Sequence, residues 1–118
     1  MLPGSEVRRK VMEQMKLIQL KSFIHRIVTD SRMRPVHVSL SLALCQAWIE
    51  QGFQKQYRVS RRGLMYTSRI RSIATYHKTI KELQVFGYFK YTPSYHPRKG
   101  SEVTLVDTDA VNLNSIQV

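Results

Sequence analysis

Apolar residues recur at helical spacing in four places along the chain and at strand spacing in two. From about Glu6 to Asp30 the pattern predicts a helix, with Val11, Met15 and Ile18 on one stripe. Leu17, Leu20, Ile24, Ile27 and Val28 form a second stripe on a different side, at about 100° per residue. A stripe that changes side predicts either a bend or two separate contacts, one of them with a partner chain. Residues 30–38 then read as a connection containing Pro35. Ser39 is the expected N-cap of a second helix, "LSLALCQAWIEQ", in which Leu40, Ala43, Leu44, Ala47 and Trp48 share a face. Gly52 ends it, and Trp48 and Phe53 read as core anchors because they lie on or beside that face.

Ser60 is placed to cap a short third helix, "RRGLMYT", that buries Leu64 and Met65. The turn "SRIR" follows, and Ser72 caps a fourth helix, "IATYHKTIKELQVF", stopped by Gly87. Ile73, Tyr76, Ile80 and Leu83 are spaced as its buried stripe, with Ala74, Thr75, Lys78, Lys81 and Glu82 opposite. Two strands, 88–92 and 102–106, flank a loop in which Pro93 and Pro97 restrict the backbone. The expected fold class is mainly α with a small antiparallel β-hairpin. A short helix, a tight turn, a longer helix and a hairpin follow the order of a winged helix-turn-helix, here with an extra N-terminal helix. The expected organisation is an N-terminal helix over 1–32 as a dimerisation element, the winged unit over 33–106, and a tail over 107–118.

Charge changes this picture from a fold to a partner. The chain carries a formal +11, from nineteen Lys and Arg against eight Asp and Glu. Residues 55–99 hold eleven of the basic side chains and, on the acidic side, only Glu82. A segment of that kind attracts polyanions, foremost nucleic acid. An anionic membrane surface favours a continuous basic amphipathic helix, whereas this segment is interrupted by turns. No apolar run approaches the roughly 18–20 residues that span a bilayer, and "MLPGSEVRRKVMEQM" lacks the apolar core of a secretory signal. With one cysteine, Cys45, set in an apolar run, the expectation is a cytoplasmic, nucleoid-associated protein with no membrane partner.

Each candidate residue has a role in that reading. Ser72 leaves free N–H groups at a helix start, which favour a phosphate oxygen. Thr75 can touch a thymine methyl or a base acceptor, and Lys78 can reach guanine O6/N7 or a phosphate. Lys81 extends the same face, which taken alone would be an ordinary solvated one. Arg61 and Arg62 open the third helix, and Arg69 and Arg71 in the turn sit over the DNA backbone. Arg98 and Lys99 at the loop tip suit a narrow minor groove or a pair of phosphates. Tyr95 and His96 either contact sugar and phosphate or brace the loop.

"SIATYHKTIKELQVFGYFKYTPSYHPRKGSEVTL" resembles the C-terminal half of small winged-helix proteins carried by bacterial mobile elements, and "VHVSLSLALCQAWIEQGF" resembles the helix before it. The resemblance spans residues 33–106 and is most specific at Thr75-Tyr76-His77, Gly87-Tyr88 and Pro93-Ser94-Tyr95. It implies a DNA-binding, transcription-regulator-like role, and with the residue roles above the expected function is sequence-specific double-stranded DNA binding. Gly63 departs from it by standing where an acidic residue would complete a capping box, which predicts a short or frayed third helix.

Other classes fit less well. His25, His37, His77 and His96 are far apart and none stands at ligand spacing with Cys, Asp or Glu. No paired carboxylates or glycine-rich phosphate loop occur, so neither enzyme, metal site nor cofactor is expected. His77, flanking the buried stripe, reads as a hydrogen-bonded structural histidine, and His37 as a local hydrogen-bonding residue ahead of a helix. A winged helix used for protein–protein assembly commonly lacks the concentrated charge seen here. A replication or excision accessory factor of a mobile element would share the same DNA chemistry. Readers of specific RNA sequences usually expose aromatics on a sheet face, whereas these tyrosines have core positions to fill.

Overall fold

Residues 4–94 and 99–106 are described by the computed structural model. The elements run α1 (Gly4–Thr29), α2 (Pro35–Glu50), β1 (Gln56–Val59), α3 (Arg61–Ser68), α4 (Ile73–Val85), β2 (Phe89–Thr92) and β3 (Ser101–Leu105). The protein is mainly helical, with a small three-stranded antiparallel sheet. It divides into two units, one holding α1 and the other spanning Ser31–Thr108.

In α1 the buried side chains are Phe23 and Ile27. Val11, Met15 and Ile18 of the first expected stripe are exposed, as are Leu17, Ile24 and Val28 of the second. Only Ile27 therefore behaves as a core position on the expected stripes, and Phe23 was not among them.

In the other unit α2 packs on α3, α4 and β1, and α4 packs on β2. The α2 helix begins at Pro35 rather than after Ser39. Proline at the first helical position has its φ preset and no N–H to leave unpaired. Two residues on, the buried His37 Nδ1 accepts the Arg34 N–H at 2.9 Å. An imidazole thus does what Glu or Gln does in a capping box. Ser39 lies inside the helix, where its hydroxyl donates to the Ser68 carbonyl and ties α2 to the end of α3. Leu40, Ala43, Leu44 and Trp48 of the expected face are buried, Ala47 is half-buried, and Cys45 is buried beside them. At its C-terminus Gly52 N–H bonds the Ile49 carbonyl and Phe53 N–H the Trp48 carbonyl, a Schellman pair. The Phe53 ring meets Trp48 edge-on at 4.7 Å.

The hairpin expectation is corrected by β1, which makes the sheet three-stranded in the order β1-β3-β2. Its four residues alternate, with Gln56 and Arg58 exposed and Tyr57 and Val59 buried. Tyr57 donates its hydroxyl to the Leu44 carbonyl at 2.9 Å, fastening the strand to α2. Val103 sits opposite both Tyr57 and Tyr91, and its side chain is fully buried in the centre of the sheet.

The α3 helix runs regularly from Arg61 to Ser68 and does not fray at Gly63. Ser60 Oγ accepts the Gly63 N–H at 2.9 Å, and a Cβ at Gly63 would come within 2.8 Å of that oxygen. A larger residue at Gly63 would need a small shift of the Ser60 hydroxyl. In α4 the buried positions are Tyr76, Thr79, Ile80 and Leu83. Ile73 was expected among them but is 50% exposed. It shares an angular position with Ile80 but lies two turns earlier, where the core does not cover it. His77 is exposed rather than held at the core's edge, and its ring stands edge-on to Tyr76 at 5.4 Å. Gly87 ends α4 in the left-handed region at φ 86, with Gly87 N–H bonded to Gln84 and Tyr88 N–H to Leu83.

Candidate functional site

The link between α3 and α4 is built around one apolar residue. Arg69 takes a left-handed conformation at φ 65 and turns the chain. Ile70, only 7% exposed, anchors the turn in the core, and its N–H reaches Ser68 Oγ at 3.4 Å. With Ile70 held inward, the neighbouring side chains Arg69 and Arg71 are exposed. The Arg69 guanidinium lies over the Tyr66 ring at 5.3 Å, a cation–π contact on an open surface.

The start of α4 follows directly. Ser72 caps the helix by accepting the Thr75 N–H at 3.2 Å. Ile73, Ala74 and Thr75 of the first turn are exposed, as are Lys78 and Lys81 further along. Glu82, the lone acid of residues 55–99, stands 3.5 Å from the Nε2 of buried His37. That contact places its carboxylate beside α2, against which this part of α4 packs.

A second cationic group gathers where the sheet meets α3. Val59 pairs with Ser101, so the end of the sheet that carries the β2–β3 loop adjoins the start of α3. Arg58 donates from Nη1 to the Lys99 carbonyl at 3.1 Å, bracing the base of the loop against β1. Gln51 holds Arg58 in turn, donating to its carbonyl at 2.6 Å and accepting its N–H at 3.1 Å. Tyr91 donates its hydroxyl to Ser101 Oγ at 2.8 Å across the same end of the sheet. Burial pushes the Tyr76 phenol well above its ordinary value, helped by Tyr91 and opposed by the positive charge of Arg61. Arg61 thus lies close enough to α4 to act on it.

Of the candidate residues, Arg61, Arg62, Arg69, Arg71, Ser72, Thr75, Lys78, Lys81 and Lys99 are all exposed. The turn and α4 bring Arg69, Arg71, Ser72, Thr75 and Lys78 together, while Arg61, Arg62 and Lys99 belong to the group at the loop base. Tyr95, His96 and Arg98 lie outside the described residues. Two residues were missed. Arg58 went unnoticed because its strand did, although the alternation "QYRV" was a signal for it. Tyr66, 74% exposed, could have been found as an aromatic standing off the apolar stripe of α3.

Other chemistry finds little support among the described residues. No group of three or more His, Cys, Asp or Glu side chains gathers there as a cation site, and no helix is long and apolar enough to cross a membrane. The Cys45 thiol is buried and pushed up to about 12 by that burial. A cleft of about 230 Å³ between α2, β1 and α3 is lined in part by Gln46, Glu50, Gln51 and Arg58. These groups already bond one another: Gln46 donates to Glu50 at 3.1 Å, and Gln51 holds the Arg58 backbone. Comparison with protein-family models, curated proteins and solved structures finds no match to this chain.

Proposed function

We propose that this chain is a winged helix-turn-helix protein that binds double-stranded DNA sequence-specifically, as a nucleoid-associated transcription regulator of the cytoplasm. In this reading α3 and α4 are the helix-turn-helix and α4 enters the major groove. Thr75 and Lys78 meet base edges, while Arg69 and Arg71 meet phosphates beside them. The loop between β2 and β3 is the wing, resting on the backbone or in the minor groove through Arg98 and Lys99. Arg61 and Arg62 contact the backbone between the two.

One observation carries the reading. Arg69 and Arg71 are exposed on either side of buried Ile70, immediately before a helix whose outer face presents Thr75, Lys78 and Lys81. Cations at a helix start suit a polyanion whose charges repeat along a groove, and water solvates them at little cost until it arrives.

The test is duplex-DNA affinity measured by fluorescence anisotropy across a salt series. Affinity is expected to fall steeply with salt. The double variant Arg69→Ala/Arg71→Ala should flatten the log–log slope by about 1.8, the contribution of about two phosphate contacts. Affinity independent of salt, or an unchanged slope in the variant, would overturn the reading.

A further inference from the structure

Ile73 is a large apolar side chain left half exposed in the first turn of α4, with Ala74 and Thr75 exposed beside it. Core packing does not account for it, because the buried face of the helix is complete with Tyr76, Thr79, Ile80 and Leu83. Capping does not account for it either, since Ser72 satisfies the Thr75 N–H through its own hydroxyl. The first turn therefore leaves the apolar side chains of Ile73 and Ala74 exposed, and Arg69 and Arg71 precede them.

We infer that Ile73, with Ala74 beside it, forms an apolar contact for the C5-methyl group of a pyrimidine in the major groove, so that the start of this helix distinguishes thymine from uracil. The inference rests on the DNA-binding reading and adds a specificity to it. In the major groove of B-DNA the thymine methyl is the apolar feature among base edges that otherwise offer hydrogen-bond donors and acceptors. A branched aliphatic side chain gains from covering it and makes no hydrogen bond that would favour another base. The flanking arginines bring a charged duplex up to a surface that would otherwise have little affinity for water-soluble polyanions. 5-Methylcytosine carries the same methyl group and is recognised by the same surface.

The experiment uses the full chain and a duplex selected by it from a random pool. That duplex is resynthesised with each thymine in turn replaced by deoxyuridine, which removes one methyl and no hydrogen-bonding group. The wild-type protein should lose about 3–10-fold in affinity at one or two positions and keep its affinity at the rest. The variant Ile73→Ser should bind the thymine and uracil duplexes equally at those positions. Its thermal midpoint should stay within a few degrees of wild type, as expected for a side chain half outside the core.

A wild-type protein that tolerates deoxyuridine everywhere while preferring the selected duplex overturns the methyl contact and leaves the DNA reading intact. A selected site without thymine, or a methyl dependence that persists in Ile73→Ser, overturns it equally. Failure to bind any duplex, even at low salt, removes both.

Discussion

At the scale of single residues, burial decides the chemistry of Cys45. The thiol is raised from 9.0 to about 12 because its thiolate would be desolvated in the core. The protonated form is bound more tightly in the folded state, so this contribution to stability is complete below about pH 9 and is lost as pH rises towards 12. Urea midpoints are expected to fall between about pH 8 and about pH 10, and to fall less in Cys45→Ala. Equal falls in the two proteins would show that the thiol is not the group responsible. The buried role of Cys45 was legible in the sequence because it stands within a run of apolar neighbours. So were the caps at Ser60 and Ser72, where a hydroxyl precedes a helical period. Ile73 was not legible, because periodicity gives an angle around the helix and says nothing of how far the core extends along it. His37 makes the local hydrogen bond expected of it, but from inside α2 rather than ahead of it, because the helix starts at Pro35.

At the scale of elements, the turns are set by a few positions with little tolerance. Gly87 and Gly100 both have positive φ, at 86° and 66°. A side chain at either strains the backbone by about 1–2 kcal/mol, but their surroundings differ. Nothing lies within 4 Å of a Cβ built at Gly87, whereas one at Gly100 would meet the Val59 carbonyl oxygen at 2.7 Å. That oxygen belongs to a paired strand and cannot move aside freely. Gly100→Ala should therefore cost clearly more than Gly87→Ala in chemical denaturation, and equal costs would count against the close approach of loop and strand. The position of α4 and the two later strands was readable from spacing and from the glycine that follows the helix. The β1 strand escaped because its four residues give a single alternation, and its stability comes from β3 and α2, which no local pattern reveals. The start of α2 escaped because Ser39 offered a conventional cap and Pro35 was placed in the connection before it, whereas proline is well suited to a first turn.

At the scale of the whole molecule, the concentration of charge in residues 55–99 was plain from counting. Its distribution on the surface was not, because that depends on Ile70 turning inward and leaving Arg69 and Arg71 outside. The α1 helix raises a separate question of assembly. Val7, Val11, Met15 and Ile18 recur along it at helical spacing and are each 48–63% exposed. We propose that this stripe pairs with its counterpart in a second copy; a dimer that binds DNA through both copies is expected to read half-sites about 10–10.5 base pairs apart. Light scattering should then give twice the mass of one chain, and Val11→Glu/Ile18→Glu should return it to one. A single-chain mass for the unaltered protein would rule the pairing out.

The sheet order has a consequence for how the chain is made. The middle strand, β3, is the last of the three to be synthesised, and both of its neighbours wait for it. Helices α2, α3 and α4 need only local hydrogen bonds and can form as they leave the ribosome, ahead of any long-range pairing. Until Ser101–Leu105 emerges, the nascent polypeptide carries β1 and β2 as two open edges, available to other chains. Lys99 and Gly100, just ahead of β3, therefore meet Arg58 and Val59 only when that strand slots between them.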